Sequence, residues 1–169
     1  MSFVLRCLTV LTSFLVVVQQ LEGGKCPKFK TEATKNERED IAYVVNTLAA
    51  HSSIGLLKYK NSLEEAGERT RQVPPFSFFG VVLTNTNTKA SLKKLSSSNT
   101  IQFKKFCNGF TKEFLNEATK PCFETTFEGF CKATGLDSKK MRSIFLESCK
   151  AAKKKRGTPF APFIREMTR

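Results

Sequence analysis

Cysteine is the residue type in this sequence whose number and spacing could most readily support chemistry. Five of the six cysteines follow residue 24: Cys26, Cys107, Cys122, Cys131 and Cys149. In an oxidising compartment such residues form structural disulfides, whereas in the cytosol they remain buried thiols. The choice between these two roles depends on where the chain is delivered.

The first 24 residues have the pattern of a secretory signal peptide. Arg6 precedes an apolar stretch over residues 8–18, and a short polar exit ends in glycine at residue 24. We therefore expect cleavage near this glycine, followed by secretion or delivery to the bacterial envelope (periplasm). A retained membrane anchor is the alternative, but the stretch is shorter than the ~20 residues of a spanning helix. No later stretch reaches that length, so we expect no transmembrane segment after cleavage.

Lipid attachment at Cys26 is a third possibility for the same region. The residue directly before this cysteine is Lys25, whereas a lipid-attachment site has a small residue there. We therefore expect export without lipidation, and an oxidising setting for the cysteines.

Apolar residues recur at helical spacing through the second half of the chain. Four phenylalanines at steps of three and four predict a helix over about 100–118. Similar patterns predict helices over about 121–134 and 138–152, the first ending at Gly135 and the second capped by Asp137. Phenylalanine should therefore dominate the core of this half.

The first half of the chain has weaker signals. An extended leader over 25–35 is followed by Asn36 and, three residues later, Glu39, which together match a capping box at the start of a helix. A second helix is predicted to be capped by Ser53 and to end at Gly67.

The apolar run over 76–83 fits a buried helix or a buried strand, because periodicity cannot decide so short a run. We favour a helix, since no other segment has the pattern of a partner strand. Thr88 is predicted to cap a further short helix, and residues 158–169 form a short tail with at most one short helix. The predicted fold is therefore all-α: a helical bundle over 36–157 whose C-terminal three-helix, Phe-rich core is stapled by disulfides.

The packing of the last three predicted helices indicates which cysteines pair. Short connections make neighbouring helices antiparallel, so residues at equal distances from the connecting turn lie at the same height. Cys107 and Cys131 satisfy this condition, as do Cys122 and Cys149. We therefore predict the disulfides Cys107–Cys131 and Cys122–Cys149, with Cys26 unpaired.

Basic residues are concentrated in the second half of the chain. The net charge is +13, and residues 85–169 carry 18 basic and 7 acidic side chains, against 9 and 7 over residues 25–84. The cations on and after the helix over 138–152 predict a patch that docks an anionic partner. Its residues are Lys139, Lys140, Arg142, Lys150, Lys153, Lys154, Lys155 and Arg156. The alternative is a solvated helix end, because charge alone attracts anions without forming a site.

Catalytic, cofactor-binding and metal-ligating patterns are not found in the sequence. His51 is the single histidine, and the cysteines lack the spacing of a zinc site. There is no phosphate-binding glycine loop and no Gly-x-Ser-x-Gly motif. We therefore expect no enzyme, cofactor or metal. Aromatic residues are not interleaved with the basic run, so an acidic protein, a polyanionic glycan or phospholipid is favoured over nucleic acid as the partner.

Phenylalanine and glycine recur at particular positions between residues 67 and 135. The series comprises Gly67, Val73-Pro74-Pro75-Phe76-Ser77-Phe78-Phe79-Gly80, Leu92, Phe103, Phe106, Gly109-Phe110, Phe127, Gly129-Phe130 and Gly135. This placement resembles an uncharacterised helical family of chlamydia-like bacteria, over roughly residues 40–150. The resemblance implies a helical fold and no known activity.

Together these patterns predict an exported, basic, all-α binding protein without enzymatic activity, whose second half docks on an anionic macromolecule or membrane surface. The alternative function is that of a membrane-active basic helical protein, similar to antimicrobial proteins.

Overall fold

The computed structural model describes residues 24–31, 33–50 and 73–169. Seven helices are formed within these ranges: α1 (Lys35–Ala50), α2 (Pro75–Thr84), α3 (Thr86–Ser97), α4 (Ile101–Glu117), α5 (Phe123–Thr134), α6 (Ser138–Lys153) and α7 (Ala161–Met167). No strand is present in the described ranges, and the predicted all-α class is confirmed. The signal peptide, His51 and the helix predicted between Ser53 and Gly67 lie outside the described residues.

Helix α2 lies at the centre of the core. Its sequence, PFSFFGVVLT, is apolar on every side, which is the pattern of a helix surrounded by other elements. Phe76, Phe78 and Phe79 are buried together with the valines and the leucine that follow them. The helical reading of residues 76–83 is therefore confirmed, and Pro75 occupies the first turn, where its fixed φ suits a helix.

The phenylalanine cluster joins α2 to three later helices. The ring centroid of Phe76 lies 5.9 Å from that of Phe114 in α4, 5.3 Å from Phe130 in α5 and 5.7 Å from Phe145 in α6. Each aromatic pair adds about 0.5–1.5 kcal/mol beyond the area that it buries. The predicted Phe-rich core is confirmed. It is formed by α4, α5 and α6, as predicted, but its central helix is α2.

The C-terminal residues 158–169 complete this core. They contain α7, and the rings of Phe160 and Phe163 are fully buried, with Phe160 at 4.8 Å from Phe114. Polar contacts attach the end of the chain to α3, since Thr168 Oγ1 lies 2.7 Å from Ser96 Oγ. The segment that the sequence assigned to a short tail is therefore packed inside the bundle.

The start of α1 differs from the expectation by two residues. Thr34 Oγ1 accepts a hydrogen bond from the Glu37 backbone N–H at 3.2 Å, and Glu37 Oε2 accepts from the Thr34 N–H at 2.5 Å. The capping box therefore forms at Thr34 and Glu37, not at Asn36 and Glu39, because Thr-x-x-Glu supplies the hydroxyl that this motif uses.

The start of α3 also differs, whereas that of α6 agrees with the prediction. Asn85 Oδ1 accepts from the Thr88 N–H at 3.0 Å, so Asn85 caps α3 and Thr88 lies inside it. Asparagine is a stronger N-cap residue than threonine. At α6, Asp137 Oδ1 accepts from the Lys140 N–H at 2.7 Å, as the sequence indicated.

The observed disulfide contradicts both predicted pairs. Cys26 is bonded to Cys122, with Cα atoms 5.5 Å apart, inside the range that a disulfide requires. Cys107, Cys131 and Cys149 are buried free thiols. The predicted pairs Cys107–Cys131 and Cys122–Cys149 are therefore wrong, and so is the prediction that Cys26 is unpaired.

The position of α2 explains why the first pairing fails. The prediction assumed that α4 and α5, consecutive in the chain, pack directly on each other. Instead Phe76 of α2 contacts Phe114 of α4 on one side and Phe127 of α5, at 5.5 Å, on the other. Helix α2 thus lies between them and holds Cys107 away from Cys131.

The leader explains the second failure. Cys26 bonds to Cys122 at the start of α5, and Phe29 packs edge-to-face on Phe130 of the same helix at 6.1 Å. The leader therefore runs along α5 from its first residues toward its middle. Cys122 faces this segment, and its thiol is not available to Cys149.

The described ranges contain no helix that is both long enough and apolar enough to cross a bilayer.

Candidate functional site

The predicted docking patch lies along the outer face of α6 and continues through Lys154, Lys155 and Arg156, which follow its last residue. All eight of its cations are exposed. The opposite face of the helix buries Met141, Phe145 and Cys149 in the core. This division follows from the sequence, since apolar residues at steps of three and four define one face of a helix and leave the lysines on the other.

Two cations of the patch bind neighbouring helices. Lys140 Nζ lies 2.6 Å from Glu166 Oε1 of α7, and its hydrogen bond lowers the pKa of that carboxyl below the ordinary value. Arg142 Nη2 lies 2.6 Å from Glu124 Oε1 of α5, and this hydrogen bond raises the pKa of the guanidinium. Both ion pairs link α6 to a neighbouring helix, so these two cations already have acidic partners within the bundle.

A third cation has a weaker partner on its own helix. Lys150 Nζ lies 2.7 Å from Glu147 Oε1, and both side chains are about two-thirds exposed. Such surface pairs contribute about 0–1 kcal/mol. An anionic partner could therefore draw Lys150 away at little cost.

The remaining cations of the patch have no acidic partner within the described part of the chain. Lys139 stands alone in the first turn of α6, while Lys153, Lys154, Lys155 and Arg156 follow one another at its C-terminal end. Cations at a helix C-terminus interact favourably with the helix dipole. Four consecutive cations nevertheless repel one another, and that repulsion would be relieved by an external anion.

The backbone at this end of α6 adopts a Schellman motif. The Arg156 N–H donates to the Ala151 carbonyl at 3.2 Å, and the Lys155 N–H donates to the Ala152 carbonyl at 3.0 Å. These two bonds place Lys155 at the position that glycine usually occupies, with a left-handed φ of 51°.

Helix α5 ends in the same motif with the usual residue. The Leu136 N–H donates to the Cys131 carbonyl and the Gly135 N–H donates to the Lys132 carbonyl, and Gly135 has a φ of 71°. A side chain in the left-handed region costs about 1–2 kcal/mol. The end of α6 therefore carries a conformational cost, because a lysine occupies the position that favours glycine. The end of α5 carries no such cost.

The free cysteines have the character of core residues. Burial raises the pKa of the Cys107 thiol to about 12 and that of Cys131 to about 11, and it also raises the pKa of Cys149. The thiolate is the reactive form of cysteine, so these side chains stay protonated near neutral pH. No group of three His, Cys, Asp or Glu side chains in the described residues is placed to hold a metal ion.

An open groove of about 510 Å³ lies between the leader, α1 and the junction of α2 with α3. Its polar groups already have local partners. Arg38 Nη1 donates to the Ala33 carbonyl at 2.8 Å, and Asn85 Oδ1 accepts two hydrogen bonds from Thr88. Arg38 and Asn85 thus hold the starts of α1 and α3 in place, while Ala42 and Val81 add apolar surface to the lining.

Comparison with known proteins gives a family for this chain. A family model described as a family of unknown function (DUF8085) matches residues 33–149, which is more than half of the chain. The chain belongs to this family. The residues matched by the DUF8085 family begin after Cys26 and Phe29 and end at Cys149, so they exclude the first part of the leader and the run Lys153–Arg156. The helical resemblance inferred from the sequence is confirmed.

Two curated relatives come from chlamydiae. A "Probable lipoprotein" of Chlamydia trachomatis serovar D is 28% identical over 122 residues, which cover 70% of this chain and 55% of the relative. An "Uncharacterized lipoprotein" of Chlamydia muridarum is 28% identical over 122 residues, with 70% and 56% covered. The chain therefore spans about half the length of these two relatives. No solved structure matches it.

Sequence reasoning missed the contact between the leader and α5. A glycine inside a helix costs about 1 kcal/mol relative to alanine and usually has a packing reason. Gly129 lies inside α5, and a methyl group built on it would overlap Cβ of Phe29. The helical glycine was therefore the signal that a second segment approaches α5 at this point.

Proposed function

We propose that the protein is a non-enzymatic binding protein of the bacterial envelope that docks on an anionic partner through the cations at the end of α6. One observation carries the proposal. Lys153, Lys154, Lys155 and Arg156 are exposed and lack acidic partners among the described residues, and Lys155 is kept at a position where glycine would be more stable.

The contrast within the patch supports a role for this run in binding. Lys140 and Arg142 form ion pairs with neighbouring helices of the bundle. Within the described residues, no such contact accounts for the four cations that follow Ala152. Residues in sparsely populated backbone conformations cluster at functional sites, and here the side chain in that conformation adds charge to the run.

The envelope location is supported from two directions. Residues 1–24 have the signal-peptide pattern, and both chlamydial relatives carry the word lipoprotein in their names. A disulfide between Cys26 and Cys122 suits an oxidising compartment of this kind.

The absence of enzymatic activity is part of the same proposal. The three free thiols of the described residues have raised pKa values because of burial, and Arg38 and Asn85 of the groove form hydrogen bonds at the starts of their own helices. Neither the thiols nor the groove offers a reactive group, whereas the exposed cations Lys153–Arg156 are suited to binding an anion.

The test is salt-dependent binding of the exported protein to two probes, heparin and mixed phosphatidylcholine–phosphatidylglycerol vesicles. We compare the triple variant K153Q/K154Q/K155Q with K89Q/K94Q/K104Q, which removes the same charge from exposed lysines of α3 and α4. Each lysine at an anionic surface contributes about 1 kcal/mol, so the first variant should lose roughly a hundredfold in affinity for at least one probe.

Equal losses in the two triple variants would mean that net charge alone attracts anions, and the proposal would fail in favour of a solvated helix end. The same vesicles, loaded with a self-quenching dye, address the second function predicted from the sequence. Release of the dye at protein concentrations that saturate binding would favour a membrane-active protein over a docking protein.

A further inference from the structure

We infer that the docking surface extends beyond α6 to the leader, where the Cys26–Cys122 disulfide holds Lys25 and Lys28, and that this combined cationic end faces an anionic lipid leaflet. The inference rests on the proposed function and names its partner. It uses residues on both sides of the family match, because Lys25 and Lys28 precede residue 33 and the basic run follows residue 149.

The helix packing places the two groups of cations at one end of the bundle. Helices α5 and α6 are joined by a three-residue turn, so the start of α5 lies toward the end of α6. The ring of Phe123 stacks on that of Phe145 at 5.4 Å, and Cys122 directly precedes Phe123. From Phe145, eight residues of helix, or about 12 Å, lead to Lys153.

The leader adds its own cations at this level. Lys25 and Lys28 flank Cys26 and Pro27, and both lysines are exposed and lack an acidic partner in the described residues. Because Cys26 is bonded to Cys122, they are held beside the start of α5. Glu124, the α5 carboxylate nearest to Cys122 in the chain, is occupied by Arg142.

A lipid leaflet is the partner that fits what precedes the leader. In the sequence the apolar stretch over residues 8–18 precedes Gly24, which lies two residues before Cys26. If the stretch is retained, it and the polybasic patch would supply two weak membrane signals, and two such signals together give stable attachment. If it is removed near Gly24, the new α-ammonium group adds a cation to the same end.

The experiment uses the exported protein with its disulfide intact and flotation with phosphatidylcholine–phosphatidylglycerol vesicles. The variant K25Q/K28Q is compared with K89Q/K94Q, which removes the same charge from exposed positions of α3. At about fivefold for each lysine near an anionic surface, K25Q/K28Q should weaken vesicle binding by more than about tenfold. The control K89Q/K94Q should change it by less than about threefold.

A second comparison tests the role of the disulfide. In a C26S/C122S background Lys25 and Lys28 are no longer tied to the start of α5 by the covalent bond, although Phe29 still packs on α5. The further loss caused by K25Q/K28Q should then shrink toward that of the control pair. An unchanged loss in that background would show that the disulfide does not position these lysines.

The outcomes separate this inference from the proposed function. If K153Q/K154Q/K155Q loses binding while K25Q/K28Q behaves as the control, the leader is not part of the surface, and the inference fails alone. If the protein binds heparin and not vesicles, the lipid leaflet is wrong and a glycan or acidic protein replaces it. If neither set of lysines matters to either probe, the proposed function fails as well.

Discussion

Phe29 of the leader lies against Gly129 of α5 so closely that a methyl group on the glycine would overlap the phenylalanine Cβ. The ring of Phe29 also approaches Gly80 of α2, where an added methyl group would lie 3.2 Å from Cζ. Two glycines on two helices thus form the seat into which the leader inserts one aromatic side chain. Together with the disulfide at Cys26, this seat makes the leader part of the bundle.

Substitution of Gly129 by alanine should destabilise the protein by about 1–3 kcal/mol, because the added methyl group forces Phe29 and its backbone to shift. The matched control is Gly109→Ala in α4, where nothing lies within 4 Å of the added carbon. That change should be neutral or stabilising by up to about 1 kcal/mol, since alanine is the better helix former. Urea denaturation measures both, and equal effects would show that the seat does not constrain α5.

Loss of the disulfide should lower the free energy of unfolding by about 2–4 kcal/mol, because the bond joins residues 96 apart and restricts the unfolded chain. The variant C26S/C122S and the wild type in reducing agent should show the same fall in thermal midpoint. Cys107→Ala serves as the control, since it should keep its response to reducing agent. A wild type that is insensitive to reduction would contradict the Cys26–Cys122 pairing.

Replacement of Lys155 by glycine should stabilise the protein by about 1 kcal/mol, because glycine removes the cost of a left-handed φ at the end of α6. The reverse change at the equivalent position of α5, Gly135→Ala, should destabilise by a similar amount. Affinity for anionic vesicles should move the opposite way and fall in Lys155→Gly. If Lys155→Gly increased both the stability and the affinity for vesicles, the Lys155 side chain would not be needed for binding.

Alkaline pH should destabilise the fold through the buried thiols. The folded state holds the pKa of Cys107 near 12 and that of Cys131 near 11, above the ordinary value of 9.0. This contribution to stability is complete below about pH 9 and is lost as the pH rises toward 12, at no more than about 1.4 kcal/mol per pH unit for each thiol. In C107A/C131A the stability should depend less steeply on pH over this window, as followed by urea denaturation.

Thiol labelling tests the same burial near neutral pH. Cys107, Cys131 and Cys149 should react with a maleimide or a disulfide reagent only after unfolding, because a protonated and buried thiol is unreactive. Mass spectrometry of the native and urea-unfolded protein should show zero and three labels, respectively. One or more labels on the native protein would show that a cysteine assigned to the core is accessible.

The helices could be located from the sequence because their signals are local. The phenylalanine spacing between residues 103 and 114, the cap at Asp137 and the end at Gly135 depend on residues within one or two turns of each other. Errors in the helix starts occurred where two polar residues compete as the cap, such as Asn85 and Thr88. The eight cations of the patch and their exposed face on α6 were predicted for the same reason.

Which elements are neighbours could not be predicted, because it depends on contacts between distant parts of the chain. The sequence alone determined an all-α, Phe-rich chain with its charge on α6. Only the tertiary structure decided that α2 lies between α4 and α5, which separates Cys107 from Cys131. It also decided that the leader packs on α5, which joins Cys26 to Cys122. The helical pattern repeats every 3.6 residues and therefore depends only on nearby residues. A disulfide forms wherever packing brings two sulfur atoms together, however far apart they are in the sequence.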